Sequence, residues 1–317
     1  MMEHVEQHKV GSLNKSSIAI IGVLAAAVFW GTSFGVAKEA MLYTGVLMFL
    51  VIRFCCTLVV IYPLVAKKIN WKVWRQIAPT GAILSIIYLA ETYGLKHTTA
   101  SNAAFLISLF IIFTPSVDAL INRHKIAVTD LFAGVIAIAG VWLLVGDSLN
   151  TVDFNIGNIL ILIAALGRAA FVVTTKKKMD TQPSDPMVVT FIQLSVVTLV
   201  CIFLLILTVP SEQYVLPNAM NFWLYIGYLV VFCTLFAFYI QNYGVKHTSP
   251  TQVSFLLGLE PVFGGLFAHW WLGERFDSIQ WIGAGLIVFA AMFISLKFSF
   301  RRRIKTSHVA EIEKPIR

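Results

Sequence analysis

Four ionisable side chains interrupt stretches of the sequence that are otherwise apolar. They are Arg53, Glu91, Arg168 and Glu260. A charge at the centre of an apolar membrane span costs about 2.5–3.5 kcal/mol on insertion scales, so each must face protein groups or water. An arginine can hold a carboxylate or phosphate through two hydrogen bonds, and a buried glutamate can bind a cationic amine or take up a proton. These residues therefore predict a site for a small charged molecule, or else internal ion pairs.

The sequence leaves several assignments open among these residues. Arg168 is suited to hold an anionic group, but an internal ion pair would explain it equally well. Glu91 could bind an amine, take up a proton or neutralise Arg168. Pro261 follows Glu260 and removes a backbone donor, which predicts a kink in the helix beside that glutamate.

Aromatic residues accompany the charged ones. Trp30, Tyr88 and Tyr239 could form a box around a cationic head group, although aromatic residues at helical spacing also serve as packing. The four cysteines occupy apolar runs without a CxxC pair and are interpreted as packing residues. No metal or cofactor pattern is visible, so we expect neither.

An internal repeat organises these residues. Residues 93–113 reappear as 243–263 without a gap, and nine of the 21 positions are identical. Such self-similarity indicates that one half of the protein was duplicated. The offset of 150 positions pairs Glu91 with Gln241, and an alignment of the starts of the halves pairs Trp30 with Arg168.

The composition requires a membrane. Of the 317 residues, 58% are hydrophobic and only 13% are charged, which leaves too little polar surface for a soluble globule. Runs long enough to cross a bilayer predict an all-α integral membrane protein of ten transmembrane helices. The predicted spans are Ile18–Ala37, Gly45–Val65, Ile77–Thr92, Ser101–Ile121, Asp130–Val145, Asn155–Thr174, Met187–Val209, Asn221–Gln241, Thr251–Leu272 and Ile279–Lys297.

Five spans per half make the repeats inverted, because the second half must start on the side where the first half ends. The predicted segments are an N-terminal tail (1–17), two halves (18–146 and 155–298) and a basic C-terminal tail (299–317). With both tails in the cytoplasm, only Lys38, Lys96 and Arg275 among the basic loop residues lie outside, as the positive-inside rule requires. This asymmetry also explains the net charge of +8 without a nucleic-acid partner.

Motifs in both halves resemble one known family. They are Trp30-Gly31-Thr32-Ser33-Phe34, Arg53-Phe54, residues 93–105, and Leu259-Glu260-Pro261-Val262-Phe263 with Gly273-Glu274-Arg275. The chain resembles the EamA family of the drug/metabolite transporter superfamily over about residues 18 to 298. The resemblance implies a 5+5 inverted repeat, a central cavity, export of small metabolites and residence in the cell (inner) membrane.

The resemblance also divides the candidate residues by role. Arg53, Glu260 and Pro261 belong to shared motifs, which favours gating or structural roles for them. The expected substrate-binding residues lie on the helices that line the cavity in the family: Trp30, Ser33, Tyr88, Glu91, Arg168, Tyr239 and Gln241.

The sequence thus predicts a secondary transporter that works by alternating access and is not an enzyme. No phosphate-binding loop exists to use ATP, and no catalytic motif suggests an intramembrane hydrolase. Arg168 with an acidic or aromatic partner suits an amino acid or related zwitterion. If Arg168 is tied to Glu91, hydrophobic drug-like or aromatic compounds fit better.

Protons are a candidate coupling ion, and Arg301-Arg302-Arg303 either contacts anionic membrane lipids or only sets the topology. The oligomeric state is open, and a monomer is compatible with the sequence.

Overall fold

A computed structural model describes residues 15–98, 100–145, 155–271 and 277–312. Within those ranges all regular structure is helical, which confirms the all-α prediction. The α-helices are α1 (Lys15–Ala40), α2 (Val46–Val65), α3 (Trp71–His97), α4 (Ala100–Ser108), α5 (Phe110–Asn122), α6 (Val128–Val145), α7 (Ile156–Thr181), α8 (Pro186–Thr208), α9 (Met220–Tyr228), α10 (Ala237–His247), α11 (Pro250–Leu257), α12 (Glu260–Trp271) and α13 (Ser278–Ile312). A π-helical segment, Leu229–Phe236, joins α9 to α10, and short 3-10 turns occupy Ala66–Lys68 and Ser211–Gln213.

Seven helical stretches of the described chain are long and apolar enough to cross a membrane. They are Lys15–Ala40, Val46–Lys68, Ala103–Asn122, Ile156–Thr181, Pro186–Thr208, Met220–His247 and Ser278–Lys297. The protein is therefore a multi-pass membrane protein, but these criteria do not establish ten spans. The third, fifth and ninth predicted spans are not among the seven. Helix α3 carries charged residues within its 27 positions, the apolar part of α6 is short, and the ninth predicted span is interrupted. The ten-helix inverted repeat stays a prediction.

Two helices are interrupted at corresponding positions of the repeat. Leu109 separates α4 from α5, and Gly258 and Leu259 separate α11 from α12; Leu109 and Leu259 are 150 positions apart. Pro261 explains why the second helix restarts, because it cannot donate a backbone hydrogen bond to the turn before it. The interruption predicted beside Glu260 is thus present. No proline lies at the first interruption, so the break does not depend on proline alone.

The helices of the two halves pack against each other throughout the core. Helix α3 lies against α7 and α8, α1 against α10 and α12, and α6 against α13. The last pair approaches closely at two glycines: a Cβ at Gly140 would lie 2.7 Å from the carbonyl oxygen of Gly283. Small residues at such crossings let membrane helices pack backbone to backbone, where apolar lipid gives no hydrophobic driving force for association.

All four cysteines are free, and Cys201 and Cys233 are buried in the helix packing. Some sequence predictions concern residues that lie outside the described ranges or whose side chains are not described. These are most of the N-terminal tail (1–14), the seam between the halves (146–154), Gly273 to Arg275 and the side chains of the basic cluster at 301–303.

Candidate functional site

Arg168 joins two glutamates at the centre of the helix bundle. One terminal nitrogen, Nη2, donates to Glu91 Oε2 at 3.1 Å, and the other, Nη1, lies 3.1 and 3.2 Å from the two carboxylate oxygens of Glu260. The three side chains are largely shielded, with exposed fractions of 16% for Arg168, 17% for Glu91 and 4% for Glu260. Two carboxylates facing one guanidinium leave this cluster with one formal negative charge.

The local fold brings the three residues together from three helices. Arg168 lies halfway along α7, and Glu91 lies six residues before the end of α3, which packs on α7. Glu260 is the first residue of α12, since the interruption at Gly258 and Leu259 starts a new helix there. The positive end of the helix dipole favours a carboxylate at that position. The broken helix therefore places a carboxylate in the bundle centre that a continuous helix would not stabilise in this way.

Helix α1 approaches this glutamate closely at a glycine. A Cβ on Gly31 would lie 2.6 Å from the carbonyl oxygen of Glu260 and 2.8 Å from the backbone nitrogen of Gly264. Both distances are below any normal contact, so only glycine fits at residue 31 without displacement of α12. This contact gives a physical reason for glycine in the Trp30-Gly31-Thr32 segment.

Trp30 supports the arginine from α1. Its ring centroid lies 5.3 Å from Arg168 Cζ, a cation–π distance. Its Nε1 donates to the backbone carbonyl of Cys233 at 2.7 Å. That carbonyl belongs to the π-helical segment Leu229–Phe236, where the wider turn leaves backbone groups free for partners outside the helix. The indole is thereby fixed against both the arginine and the neighbouring helix.

Arg53 lies near the same centre but has a different set of neighbours. Its Nε donates to Thr234 Oγ1 at 2.8 Å, and its Cζ lies 5.4 Å from the Tyr88 ring and 5.7 Å from the Phe54 ring. The residue is 6% exposed. Among the described residues no carboxylate lies within ion-pair distance of it, in contrast to Arg168.

A cavity between α1, α2, α3, α7 and α10 contains about 740 Å³ of space not filled by protein atoms, part of which is open to the surroundings. Its wall is mostly apolar and aromatic, and includes Phe110, Phe171 and Phe238. Tyr88 and Phe238 have ring centroids 5.8 Å apart, and Phe238 also packs edge-on to Trp30 at 5.2 Å. These rings connect the surroundings of Arg53 to those of Arg168.

Seven of the ten sequence-predicted site residues line this cavity: Trp30, Ser33, Arg53, Tyr88, Glu91, Arg168 and Gln241. The Ser33 hydroxyl donates a hydrogen bond to the backbone carbonyl of Trp30 at 2.8 Å. Gln241 is 4% exposed, and its Oε1 accepts no hydrogen bond in the described part of the chain.

The other three predicted residues lie outside the cavity wall. Glu260 contacts the site through Arg168, and Pro261 follows it at the start of α12. Tyr239 pairs with Tyr243 at a ring distance of 6.3 Å and does not face the cavity. The predicted box of Trp30, Tyr88 and Tyr239 is therefore not assembled; Phe238 takes the place of its neighbour Tyr239.

Sequence reasoning missed two further groups at the site. Phe110 is the repeat counterpart of Glu260 and lies 5.9 Å from Arg168 Cζ, so the repeat alignment contained a signal for it. No sequence signal indicated Thr234, the hydrogen-bond partner of Arg53, because a single threonine in an apolar run does not stand out. Its hydroxyl donates to Leu229 O, five residues earlier, which reflects the π-helical turn.

A separate buried network of polar side chains joins α3, α7, α8 and α10. Gln193 Nε2 donates to Thr80 Oγ1 at 3.0 Å and to Thr175 Oγ1 at 3.2 Å. Asn242 Nδ2 donates to Gln193 Oε1 at 2.8 Å and to Thr190 Oγ1 at 2.9 Å. Thr80 lies early in α3, whereas the cavity residues of α3 lie between Leu84 and Leu95. The network therefore lies next to the cavity, on the side toward the start of α3, and its Asn242 directly follows the cavity residue Gln241.

Comparisons with known proteins agree on one family. The model described as the EamA-like transporter family matches residues 17–146 and 155–296. An uncharacterized transporter of Archaeoglobus fulgidus is 28% identical over 286 residues, which are 89% of this chain and 87% of that protein. The uncharacterized transporter YwfM of Bacillus subtilis is 24% identical over 308 residues, 94% of this chain and 99% of its own length.

Two further matches are more limited. The uncharacterized inner membrane transporter YedA of Escherichia coli K12 is 31% identical over 81 residues, 26% of each chain. A crystal structure of another protein superposes with a TM-score of 0.72 at 18% sequence identity and covers 91% of this chain and 99% of that one. At this identity the match establishes a shared fold.

Proposed function

This chain belongs to the EamA-like transporter family and is a membrane transporter, and we propose that it exports a small metabolite by alternating access through the cavity beside Arg168. The observation that carries the proposal is a cavity between helices of both halves, with buried charged groups in its wall. Substrate sites of secondary transporters lie at such repeat interfaces. Catalysis is no part of the proposal.

The architecture we propose is ten membrane helices in two inverted repeats of five. The repeated sequence and the interruptions at Leu109 and Leu259 support it, because the equivalent helix is broken at the equivalent residue in each half. Discontinuous helices at the membrane midplane commonly build transporter sites, since their free ends present helix dipoles to charged groups. Glu260 at the start of α12 fits this pattern.

The position of the cavity supports an outward-facing state. Its residues on α1 run from Trp30 to Ala37, toward the end of that helix, and the buried Gln193 network borders the cavity on the other side, toward the start of α3. With both termini in the cytoplasm, as the basic residues favour, the cavity extends toward the outer side and the network closes the cytoplasmic side. We also propose that the protein resides in the cell (inner) membrane, which the description of the partly matching YedA as an inner membrane transporter supports.

Two substrate classes are supported by different observations. The charged groups in the wall favour an amino acid or related zwitterion, because Glu91 and Arg53 offer opposite charges to one cavity. The ion pairs of Arg168 with two glutamates favour the second class, hydrophobic drug-like or aromatic compounds, because they remove one cation from binding and leave a largely apolar wall. We place the zwitterion first.

Proton coupling is a further part of the proposal. Glu91 lies in the cavity wall, and only its Oε2 is bonded to Arg168, so proton uptake there could weaken the ion pair as substrate leaves. If Glu91→Gln transports with the same dependence on a pH gradient as the wild type, the proton route through Glu91 is wrong.

Transport of pooled metabolites tests the proposed function. Efflux and uptake would be measured in everted membrane vesicles and in proteoliposomes, with and without a pH gradient, for the wild type and for vesicles lacking the protein. Protein-dependent movement of amino acids or related amines supports the first substrate class. Movement restricted to uncharged lipophilic compounds supports the second, and no protein-dependent movement contradicts transport through this chain.

A further inference from the structure

Arg53 is a buried cation whose hydrogen-bonding capacity is mostly unused. A guanidinium carries five N–H donors, and in the described chain Arg53 uses only Nε, on Thr234. A charge buried without a partner is strongly unfavourable. Nevertheless Arg53 lines the cavity and meets no carboxylate among the described residues. The surroundings position the group and leave its two Nη atoms available.

Arg168 shows the opposite condition. Both of its Nη atoms already donate to carboxylates, one to Glu91 and one to Glu260. A substrate anion at Arg168 would have to displace a glutamate and would meet the negative charge that the cluster retains. Between the two arginines of the cavity wall, Arg53 is therefore the better partner for an anion.

Glu91 provides the complementary group. Its Oε2 accepts from Arg168, but its Oε1 accepts no hydrogen bond from the described residues, although Glu91 lines the cavity. Glu91 follows Tyr88 by three residues on α3, so the two side chains share one face of that helix. Arg53 Cζ lies 5.4 Å from the Tyr88 ring, and Arg53 and Glu91 both line the same cavity.

We propose that Arg53 and Glu91 form a dipolar substrate site, in which Arg53 donates two hydrogen bonds to a carboxylate and Glu91 Oε1 accepts one from an ammonium group. The Tyr88 ring lies beneath the bound molecule, and Trp30, Phe110 and Phe238 contact its apolar part. This assignment rests on the proposed function, and it gives the anion-binding role to Arg53 instead of Arg168. Bidentate recognition by a planar guanidinium also explains why lysine would be a poorer choice at this position.

Three matched probes separate the two poles of the site. They are L-phenylalanine, 2-phenylethylamine, which lacks the carboxylate, and 3-phenylpropanoate, which lacks the amine. Binding of each to the purified full chain in lipid nanodiscs would be measured by calorimetry for the wild type, Arg53→Gln and Glu91→Gln. Arg75→Gln and Glu39→Gln are matched controls, since both parent residues are exposed and outside the cavity.

The wild type should bind phenylalanine at least tenfold more tightly than either single-charge probe. Arg53→Gln should weaken phenylalanine and phenylpropanoate at least tenfold and change phenylethylamine less than twofold. Glu91→Gln should weaken phenylalanine and phenylethylamine and spare phenylpropanoate. Arg53→Lys, which keeps the charge without the planar fork, should lie between the wild type and Arg53→Gln and should retain the preference for the zwitterion.

Equal weakening of all three probes in Arg53→Gln, or no change in any, would overturn the site and leave Arg53 as a structural residue. If Arg53→Gln does not fold, the Arg53→Lys and Glu91→Gln comparisons decide by the same criterion. A wild type that moves pooled metabolites in vesicles but binds none of the probes would overturn the dipolar site alone. A wild type that moves nothing would contradict the proposed function instead.

Discussion

The guanidinium of Arg168, in the second half of the chain, lies 3.1 Å from the carboxylate of Glu91 in the first half. This ion pair crosses the boundary between the two repeats at the wall of the central cavity. Together with the ion pair to Glu260, it links α3 to α7 and α12. Removal of Arg168 should therefore affect the stability of the protein as well as the charge of the site.

Arg168→Gln should destabilise the protein severely. It leaves Glu91 and Glu260 facing each other without a cation, and breaking a buried ion pair by removal of one partner costs about 3–5 kcal/mol. The triple variant Arg168→Gln/Glu91→Gln/Glu260→Gln removes all three charges and should recover most of the apparent Tm. Thermal unfolding of the purified proteins checks this, and a stable Arg168→Gln protein would show that the ion pairs contribute little.

Gly31→Ala should disturb the packing of α1 on α12. The added Cβ would lie 2.6 Å from the carbonyl oxygen of Glu260, and forced overpacking typically costs about 1–3 kcal/mol. Gly35→Ala on the same helix is the matched control, since a Cβ there meets nothing within 4 Å. The apparent Tm of the two variants would be compared, and equal values would contradict the close contact.

Gln193→Leu should weaken the helix packing on the side of the cavity toward the start of α3. Gln193 donates to Thr80 and Thr175 and accepts from Asn242, all buried, and loss of these bonds should cost about 1–3 kcal/mol. Ser195→Ala on the same helix is the control, because among the described residues its hydroxyl donates only to Phe191 O within α8. If both variants lose the same stability, the network does not hold the helices together.

Much of this arrangement was predictable from the sequence, for identifiable reasons. Buried charges stand out in apolar runs, so Arg53, Glu91, Arg168 and Glu260 were found directly. An ion pair of Glu91 with Arg168 was one of three alternatives for that glutamate, and the second pair with Glu260 was not predictable, because both depend on how α3, α7 and α12 cross. Periodicity could not separate Phe238 from Tyr239 either, since one residue of helix rotation decides which side chain faces the cavity.

The fold was also predictable only in part. The apolar runs mark helices, but hydropathy cannot locate an interruption such as that at Leu109, where no proline or glycine occurs. The π-helical segment Leu229–Phe236 could not be predicted from the sequence either, because its residues are almost all apolar and compatible with an ordinary α-helix. Both features decide which backbone and hydroxyl groups reach the cavity residues.

Asp185 gives a prediction for the effect of pH. It caps α8 by accepting from Met187 N at 3.0 Å and pairs with Lys68 at 2.8 Å. Burial raises the pKa of this carboxyl, but the hydrogen bonds from Lys68 and Met187 outweigh it, so the pKa lies below its ordinary value of 3.8. A lowered folded-state pKa stabilises the protein above pH about 3.8, and this contribution is lost as the pH falls through the folded pKa.

Asp185→Asn, which can still cap the helix, should therefore lower the apparent Tm at pH 7, and this effect should decrease as the pH falls from about 3.8 through the folded-state pKa. Asp185→Ala should cost about 1 kcal/mol more than Asp185→Asn, since it also removes the cap. Unfolding measured across this pH range checks both statements. A difference between wild type and Asp185→Asn that grows as the pH falls would contradict the sign.

A solute that crosses the membrane through the cavity beside Arg168 should be blocked when that cavity is filled. Solute counterflow in proteoliposomes tests it most directly, with Ala37→Trp to fill the cavity from α1 and Val28→Trp, whose parent side chain is 41% exposed on the same helix, as the control. We expect counterflow of a small metabolite by the wild type and by Val28→Trp, and its loss in Ala37→Trp. Undiminished counterflow in a folded Ala37→Trp protein would contradict it.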